Sequence, residues 1–194
     1  MVIARRFAWA HLPKTAGDAT ATMLCAVPGL VLFADPLDSN DKHMPFFGRE
    51  REVAGKLLAM NIRRLPDWVI SGAQHRARHG VHPDYRPSPL PSAEALSRSH
   101  DPDDLLRWMT DHGRFRVDRW LRVERLEDDV LALLREVGEL SEQARAAVLA
   151  VGRVNQGEYD RDALRLSAAQ TARLYRGNPE WARVERMVYG SLAV

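Results

Sequence analysis

The alternation of apolar and polar positions divides the first third of the chain into short segments. Residues 6 to 12 carry Phe7, Ala8, Trp9 and Ala10 in an almost unbroken apolar run, which predicts a strand buried on both faces of a sheet. A Pro-Lys-Thr-Ala-Gly turn follows, and Asp18 to Val27 has helical composition that stops at Pro28-Gly29. Residues 29 to 35, GLVLFAD, form a second apolar run and lead into PLDSNDKHMP, a loop by its Pro, Asp, Ser and Asn content. Between residues 48 and 65, Val53, Leu57, Leu58, Met60 and Ile62 fall near helical spacing and Pro66 closes the segment, so a helix is expected there. WVISGA, residues 68 to 73, is then the next expected strand.

Residues 74 to 100 hold four histidines and four prolines and read as a long irregular segment. DPDDLLRWMTDHG predicts a helix with Asp101 as cap, Pro102 at its first position and Gly113 as terminator. VDRWLRVERL, residues 117 to 126, predicts another strand, followed by helices near 127 to 137 and 141 to 151, the second capped by Ser141 and closed by Gly152. Ser167 with Gln170 forms a capping box, and Asn178-Pro179 opens a last helix that Gly190 closes. Strands separated by helices predict one α/β domain over residues 1 to 194, with a central, mostly parallel sheet flanked by helices.

Composition narrows the function classes. The 194 residues with 45% hydrophobic content suffice for one sizeable core, and a net charge of +2 gives no global field for nucleic acid. Arginines crowd residues 49 to 86 and 107 to 125, a distribution that suits a local anion site. The single cysteine, Cys25, excludes an internal disulfide, is expected to pack in its helix, and fits a reducing, cytoplasmic setting. No apolar run reaches the length of about 18 residues that a membrane span needs, and MVIARRFAWAHL lacks the apolar core of a secretory signal.

Candidate chemistry begins at the turn. Only three of the 28 basic residues are lysine, and one of them, Lys14, stands between the first apolar run and the first helix. A strand that ends in a Gly-containing turn and opens a helix offers backbone N–H groups and a positive helix end to an anion, with phosphate the natural ligand. Lys14 would add a mobile charge, Thr15 a hydroxyl donor, and Gly17 room for close approach. The plainer alternative is a simple turn with Lys14 solvated. His75, His79 and His82 follow at spacings of four and three, but Gly80 and Pro83 argue against a helix and no cysteine or carboxylate completes a ligand set, so no metal is expected. His75, placed after the expected third strand, is the candidate general base. Asp35, at the end of LVLFAD, would suit a magnesium-binding strand of a nucleotide hydrolase or kinase, but the early glycine of such a loop is missing from WAHLPK.

HLPKTAG after an apolar strand resembles the 5′-phosphosulfate loop of sulfotransferases that use 3′-phosphoadenosine 5′-phosphosulfate (PAPS), and His11, Leu12, Pro13, Lys14, Thr15, Ala16 and Gly17 match it one by one. Later segments are similar in the same order: VDRWLRVERLEDDV with Glu124, Leu126 and Asp129, then GRVNQGEY, then NPEWARVERMVYG. The resemblance implies a three-layer, P-loop-like fold, PAPS as co-substrate, and transfer of a sulfuryl group to a hydroxyl or amine of a carbohydrate or small-molecule acceptor. It implies donor contacts along Pro13, Lys14, Thr15, Ala16, Gly17 and Asp18; in that reaction Lys14 would be the catalytic cation, and His75, from its place in the chain, the base.

Two positions depart from the family pattern. Asp18 and Ala19 stand where Thr or Ser is usual, and a unit charge 4 Å from another costs about 4 kcal/mol at an effective dielectric near 20. Asp18 is therefore expected to cap the helix or to be neutralised by a neighbour such as Arg76. The family also holds the donor's 3′-phosphate with an Arg after the third strand and a Ser about eight residues later. With that strand at residues 68 to 73 no such pair follows, and Arg76 and Arg78 are the nearest candidates. A non-catalytic protein that keeps the fold to bind a partner is the competing reading.

Overall fold

A computed structural model of the chain describes residues 1–79, 89–152, 154 and 164–193. In chain order the elements are β1 (Val2–Ala4), β2 (Phe7–Ala10), α1 (Gly17–Ala26), β3 (Val31–Ala34), α2 (Glu50–Val53), β4 (Leu57–Ile62), α3 (Leu65–His79), α4 (Ala93–Leu96), α5 (Asp101–Met109), β5 (Arg119–Arg122), α6 (Leu126–Glu136), α7 (Glu142–Ala150), α8 (Ala168–Gly177) and α9 (Pro179–Tyr189). They fall into two compact units, Met1–Ile62 with Arg107–Gln156, and Arg63–Leu106 with Gly157–Val194.

The first unit holds the sheet, in the order β3-β1-β2-β4-β5. β2 pairs in parallel with β4, and β4 with β5, whereas β1 runs antiparallel to both β2 and β3. The sheet is thus α/β and mixed, parallel only in part, because the first residues form a strand of their own. Arg5 and Arg6 turn VIA back against FAWA in a local hairpin whose first strand lies ahead of the run expected at residues 6 to 12. Phe7 and Trp9, alternate residues of β2, enter a core with Met23 and Leu24 of α1, Leu133 and Leu134 of α6, and Val148 of α7. α1, α6 and α7 pack on one another beside the sheet. At the end of β5, Asp129 of α6 accepts from Arg122 three times, from its backbone N–H (2.8 Å), Nε (2.8 Å) and Nη2 (2.6 Å), which fixes the strand to the helix that follows.

Residues 48 to 73 reverse the expected order of helix and strand. The segment expected as one helix contains only α2 and then β4, and the expected strand at residues 68 to 73 lies inside α3. LLAMNI is buried from Leu58 through Ile62, so its apolar residues are continuous because both faces of a parallel strand are covered. In α3 the buried residues Leu65, Trp68, Val69, Gly72 and Ala73 recur at three- and four-residue steps, the helical period, and Pro66 sits in the first turn where its missing N–H is not needed. α3 also runs through His79, so the histidine segment starts as helix; the rest of it to residue 88 lies outside the described residues.

In the second unit α8 packs on α3, α4 and α9, and α3 on α9, where the fully buried Trp181 is tilted against Trp68 with ring centroids 5.2 Å apart. The Ser167–Gln170 capping box forms as expected, and Gly190 closes α9 in the left-handed region. Asp103 of α5 accepts from the backbone N–H groups of Glu180 (3.0 Å) and Trp181 (2.7 Å), capping α9 from outside its own sequence. Glu185 is wholly buried and accepts from Arg64 Nη1 (3.0 Å), the Leu65 backbone N–H (2.9 Å) and the Tyr175 hydroxyl (2.8 Å). Burial, then the adjacent Glu185, push the Tyr175 hydroxyl pKa well above its ordinary value.

Replacing Glu185 with Ala strips one partner from this buried cluster and is expected to cost about 3–5 kcal/mol in urea unfolding. Glu185→Gln, which keeps the volume, should cost less; a Glu185→Ala protein as stable as wild type would show that the cluster does not hold the unit.

Candidate functional site

The loop from His11 to Gly17 leaves the C-terminal end of β2, beside the parallel strand β4, and enters α1. In open α/β sheets that end of the strands is where ligands bind. Its backbone is unusual: Lys14 (φ 63°) and Ala16 (φ 59°) both lie in the left-handed region, which costs a residue with a Cβ about 1–2 kcal/mol. Strain of this kind persists only where the surroundings impose it, and it clusters at ligand sites.

The imposing group is Asn61, a fully buried residue of β4. Its Oδ1 accepts from Trp9 Nε1 (2.8 Å), and its Nδ2 donates to the Thr15 carbonyl (2.6 Å) and to Thr20 Oγ1 (2.7 Å). One side chain thus joins β2, β4, the loop and the first helix. Thr15 differs from its expected role. Its hydroxyl is buried and donates to the Leu12 carbonyl (2.6 Å), closing the loop on itself instead of facing a ligand. Gly17 is required for a different reason from loose backbone: a Cβ there would lie 1.8 Å from His11 Cδ2, so the imidazole occupies the space that a side chain would take. Lys14 and Pro13 remain half-buried on the loop.

His11 itself is buried, stacked on Trp9 (5.5 Å between ring centroids) and tilted against His43 (4.3 Å). Burial, reinforced by His43 and Lys42, pushes its pKa down to about 2, so the ring is neutral and its Nδ1, 3.9 Å from Asp18 Oδ1, makes no ion pair. His43 lies in a 3-10 turn, Asn40–His43, and its Nδ1 approaches the His11 carbonyl at 3.3 Å. Burial lowers its pKa as well. From the same turn Lys42 Nζ meets Asp18 Oδ1 at 2.9 Å, while Ala16 occupies the helix cap position without a side-chain bond. Asp18 is therefore neutralised, as one of its two expected roles required, but by Lys42.

Asp35 is buried, pairing with Arg49 (3.0 Å) and the Met1 ammonium (2.7 Å), and its strand β3 is separated from β2 by β1. That is the environment of a compensated structural carboxylate, with its charge already matched. Cys25 is exposed on α1 instead of packed. The expected site residues His75, Arg76 and Arg78 all stand on the last turns of α3 in the second unit, His75 and Arg78 exposed and the His75 and His79 rings 4.9 Å apart. His82 lies outside the described residues. With the third strand of the chain's parallel set now at Leu57–Ile62, the first arginines after it are Arg63 and Arg64, and Ser71 stands eight residues after Arg63. Arg64 is committed to Glu185 and to the Tyr189 ring (4.0 Å). The spacing that sequence reasoning sought downstream is thus present upstream, hidden by the misplaced strand.

Comparison with protein-family models, with curated proteins and with solved structures finds no match to this chain. No helix among the described residues is long and apolar enough to cross a membrane.

Two outcomes test the site's framework. Asn61→Ala leaves the Trp9 N–H and Thr15 carbonyl buried without their partner and should lower stability by about 2–4 kcal/mol by chemical denaturation. Because His11 stays neutral in the fold while the unfolded chain protonates near its ordinary pKa of 6.5, its contribution is intact above that pH. Stability should then fall as pH drops below 6.5, with His11 adding up to about 1.4 kcal/mol per pH unit. A His11→Gln protein with the same slope between pH 7 and 5 would count against this account.

Proposed function

We propose that this chain is a sulfotransferase that binds PAPS at the loop Pro13–Gly17 and transfers its sulfuryl group to a hydroxyl-bearing acceptor. The observation that carries the reading is the loop itself: HLPKTAG at the end of β2, held in a left-handed conformation at Lys14 and Ala16 and opening into α1. A loop so mounted suits the 5′-phosphosulfate, because helix first turns carry N–H groups with no carbonyl one turn earlier and the helix dipole favours an anion there.

In the reaction the acceptor oxygen bonds to sulfur, the bond from sulfur to the bridging phosphate oxygen breaks, and the adenosine bisphosphate departs. Lys14 places an ammonium on the loop, where it stabilises charge growing on the bridging oxygen. The acceptor's proton goes to a general base, a role this reading gives to His75. For the 3′-phosphate this reading keeps Arg76 and Arg78, and Arg63 with Ser71 joins them as a candidate pair because the family resemblance calls for an Arg and a Ser at that spacing after the third strand. His11, buried and held neutral, takes up no proton near neutral pH and is not the base.

A thermal-shift series with 3′-phosphoadenosine 5′-phosphate, ATP with magnesium, and heparin tests the reading. The bisphosphate at 100 times its dissociation constant should stabilise the protein by about 2.7 kcal/mol. Lys14→Ala and Arg63→Ala should each weaken it at least tenfold, about 1.4 kcal/mol. Equal stabilisation by ATP with magnesium would instead favour a nucleotide-hydrolysing protein. Binding without turnover of any acceptor would favour the non-catalytic reading, and full activity in His75→Ala would remove His75 as the base.

A further inference from the structure

Asp18 occupies the first turn of α1, where an uncompensated carboxylate would oppose any anion that the loop receives. Lys42 meets it from the 3-10 turn. Its ammonium lies 2.9 Å from Asp18 Oδ1 and donates also to the Leu37 carbonyl at 2.6 Å. The turn that presents it is itself fixed: Ser39 Oγ accepts from the Asp41 N–H (3.0 Å), and the Lys42 carbonyl accepts from the Met1 ammonium (3.0 Å). Lys42 is thus held in place by contacts that have nothing to do with Asp18.

A second observation points to an occupant at the same spot. The His11 side chain is only 4% exposed, yet its Nδ1 has no hydrogen-bond partner among the described residues. That atom lies 3.9 Å from the very oxygen of Asp18 that Lys42 holds. Buried polar atoms are almost always satisfied, so an unsatisfied one beside a charged pair at a helix N-terminus marks a place for a ligand atom or the water it carries. The chemistry around it, Lys42, the Lys14-bearing loop and the positive end of α1, fits an anion.

We propose that Lys42 belongs to the anion-binding site, as the counter-ion that cancels the charge of Asp18 and so lets this loop take a phosphate-bearing ligand without the hydroxyl residue usual at that position. The proposal rests on the reading of Pro13–Gly17 as a phosphate loop. Lys42 and Asp18 are then a unit in which the sum of the two charges matters more than either residue. The compact ammonium of Lys42 reaches one carboxylate oxygen and one carbonyl at once.

The test compares wild type, Asp18→Thr, Lys42→Met and the double variant by calorimetry, each with 3′-phosphoadenosine 5′-phosphate and with inorganic pyrophosphate. Lys42→Met bares the carboxylate and should weaken both ligands about tenfold; Asp18→Thr frees a positive charge and should tighten both by a similar factor. The double variant, neutral again, should return to within about threefold of wild type, and Lys42→Arg should stay near wild type because it keeps the charge. Should Lys42→Met fail to fold, Asp18→Thr alone decides, since unchanged affinity there overturns the proposal. A double variant as weak as Lys42→Met overturns it too, because Lys42 would then act by shaping the turn. If pyrophosphate obeys this pattern and the bisphosphate does not bind, the PAPS assignment fails and the role of Lys42 stands. If neither ligand binds wild type, both fall.

Discussion

The loop exists in its present form because one carboxamide has nowhere else to spend its hydrogen bonds. Asn61 is enclosed in β4, and in that low-dielectric setting each of its polar atoms must find a partner. It finds Trp9 on the neighbouring strand, the Thr15 carbonyl on the loop and Thr20 on α1. The left-handed turn at Lys14 and Ala16 is the conformation in which the Thr15 carbonyl points inward to Asn61. Strain in two residues is thereby offset by a buried bond to a third. Such a turn is preorganised, so a ligand that binds there has little ordering left to impose.

Much of this was legible in the sequence where local rules act alone. The loop between FAWA and the first helix, the capping box at Ser167, and the closing glycines at Gly152 and Gly190 all follow from neighbours within a few residues, and each is in place. What failed was a choice of period. LLAMNI is short and apolar throughout, so it matches a strand buried on both faces as well as a fragment of helix, and its neighbour Val53 tipped the spacing toward helix. That single error displaced the next strand into α3 and hid Arg63 and Ser71 from the place where an Arg and a Ser were sought. Asn61 and Lys42 left no signal at all in one dimension. Their partners lie 46 and 24 residues away, and nothing in a polar residue's type reveals which distant backbone it will meet.

The scarcity of lysine acquires a physical meaning in the first unit. Lys56 donates to the carbonyls of Ala4 and Arg5 at the hairpin, Lys42 to Asp18 and Leu37, and Lys14 rides the strained loop. Two of the three therefore place a compact ammonium against a pair of oxygens. Arg122 serves a different geometry, a two-pronged pairing with the carboxylate of Asp129.

The short hairpin of β1 and β2 bears on how the loop comes to be built. β1 sits between β2 and β3, so the crossover through α1 must pass over a place already filled by the first residues of the chain. Pairing Val2 with Trp9 spans seven residues, whereas pairing Met60 with Trp120 spans sixty. Closing the smaller ring loses far less chain entropy, and contacts so local form in microseconds. The strand that carries the loop thus has a template at hand before its distant neighbours arrive. Nucleation of this sheet would begin beside the very segment on which its chemistry depends, and the later strands would dock onto an edge whose register is already set.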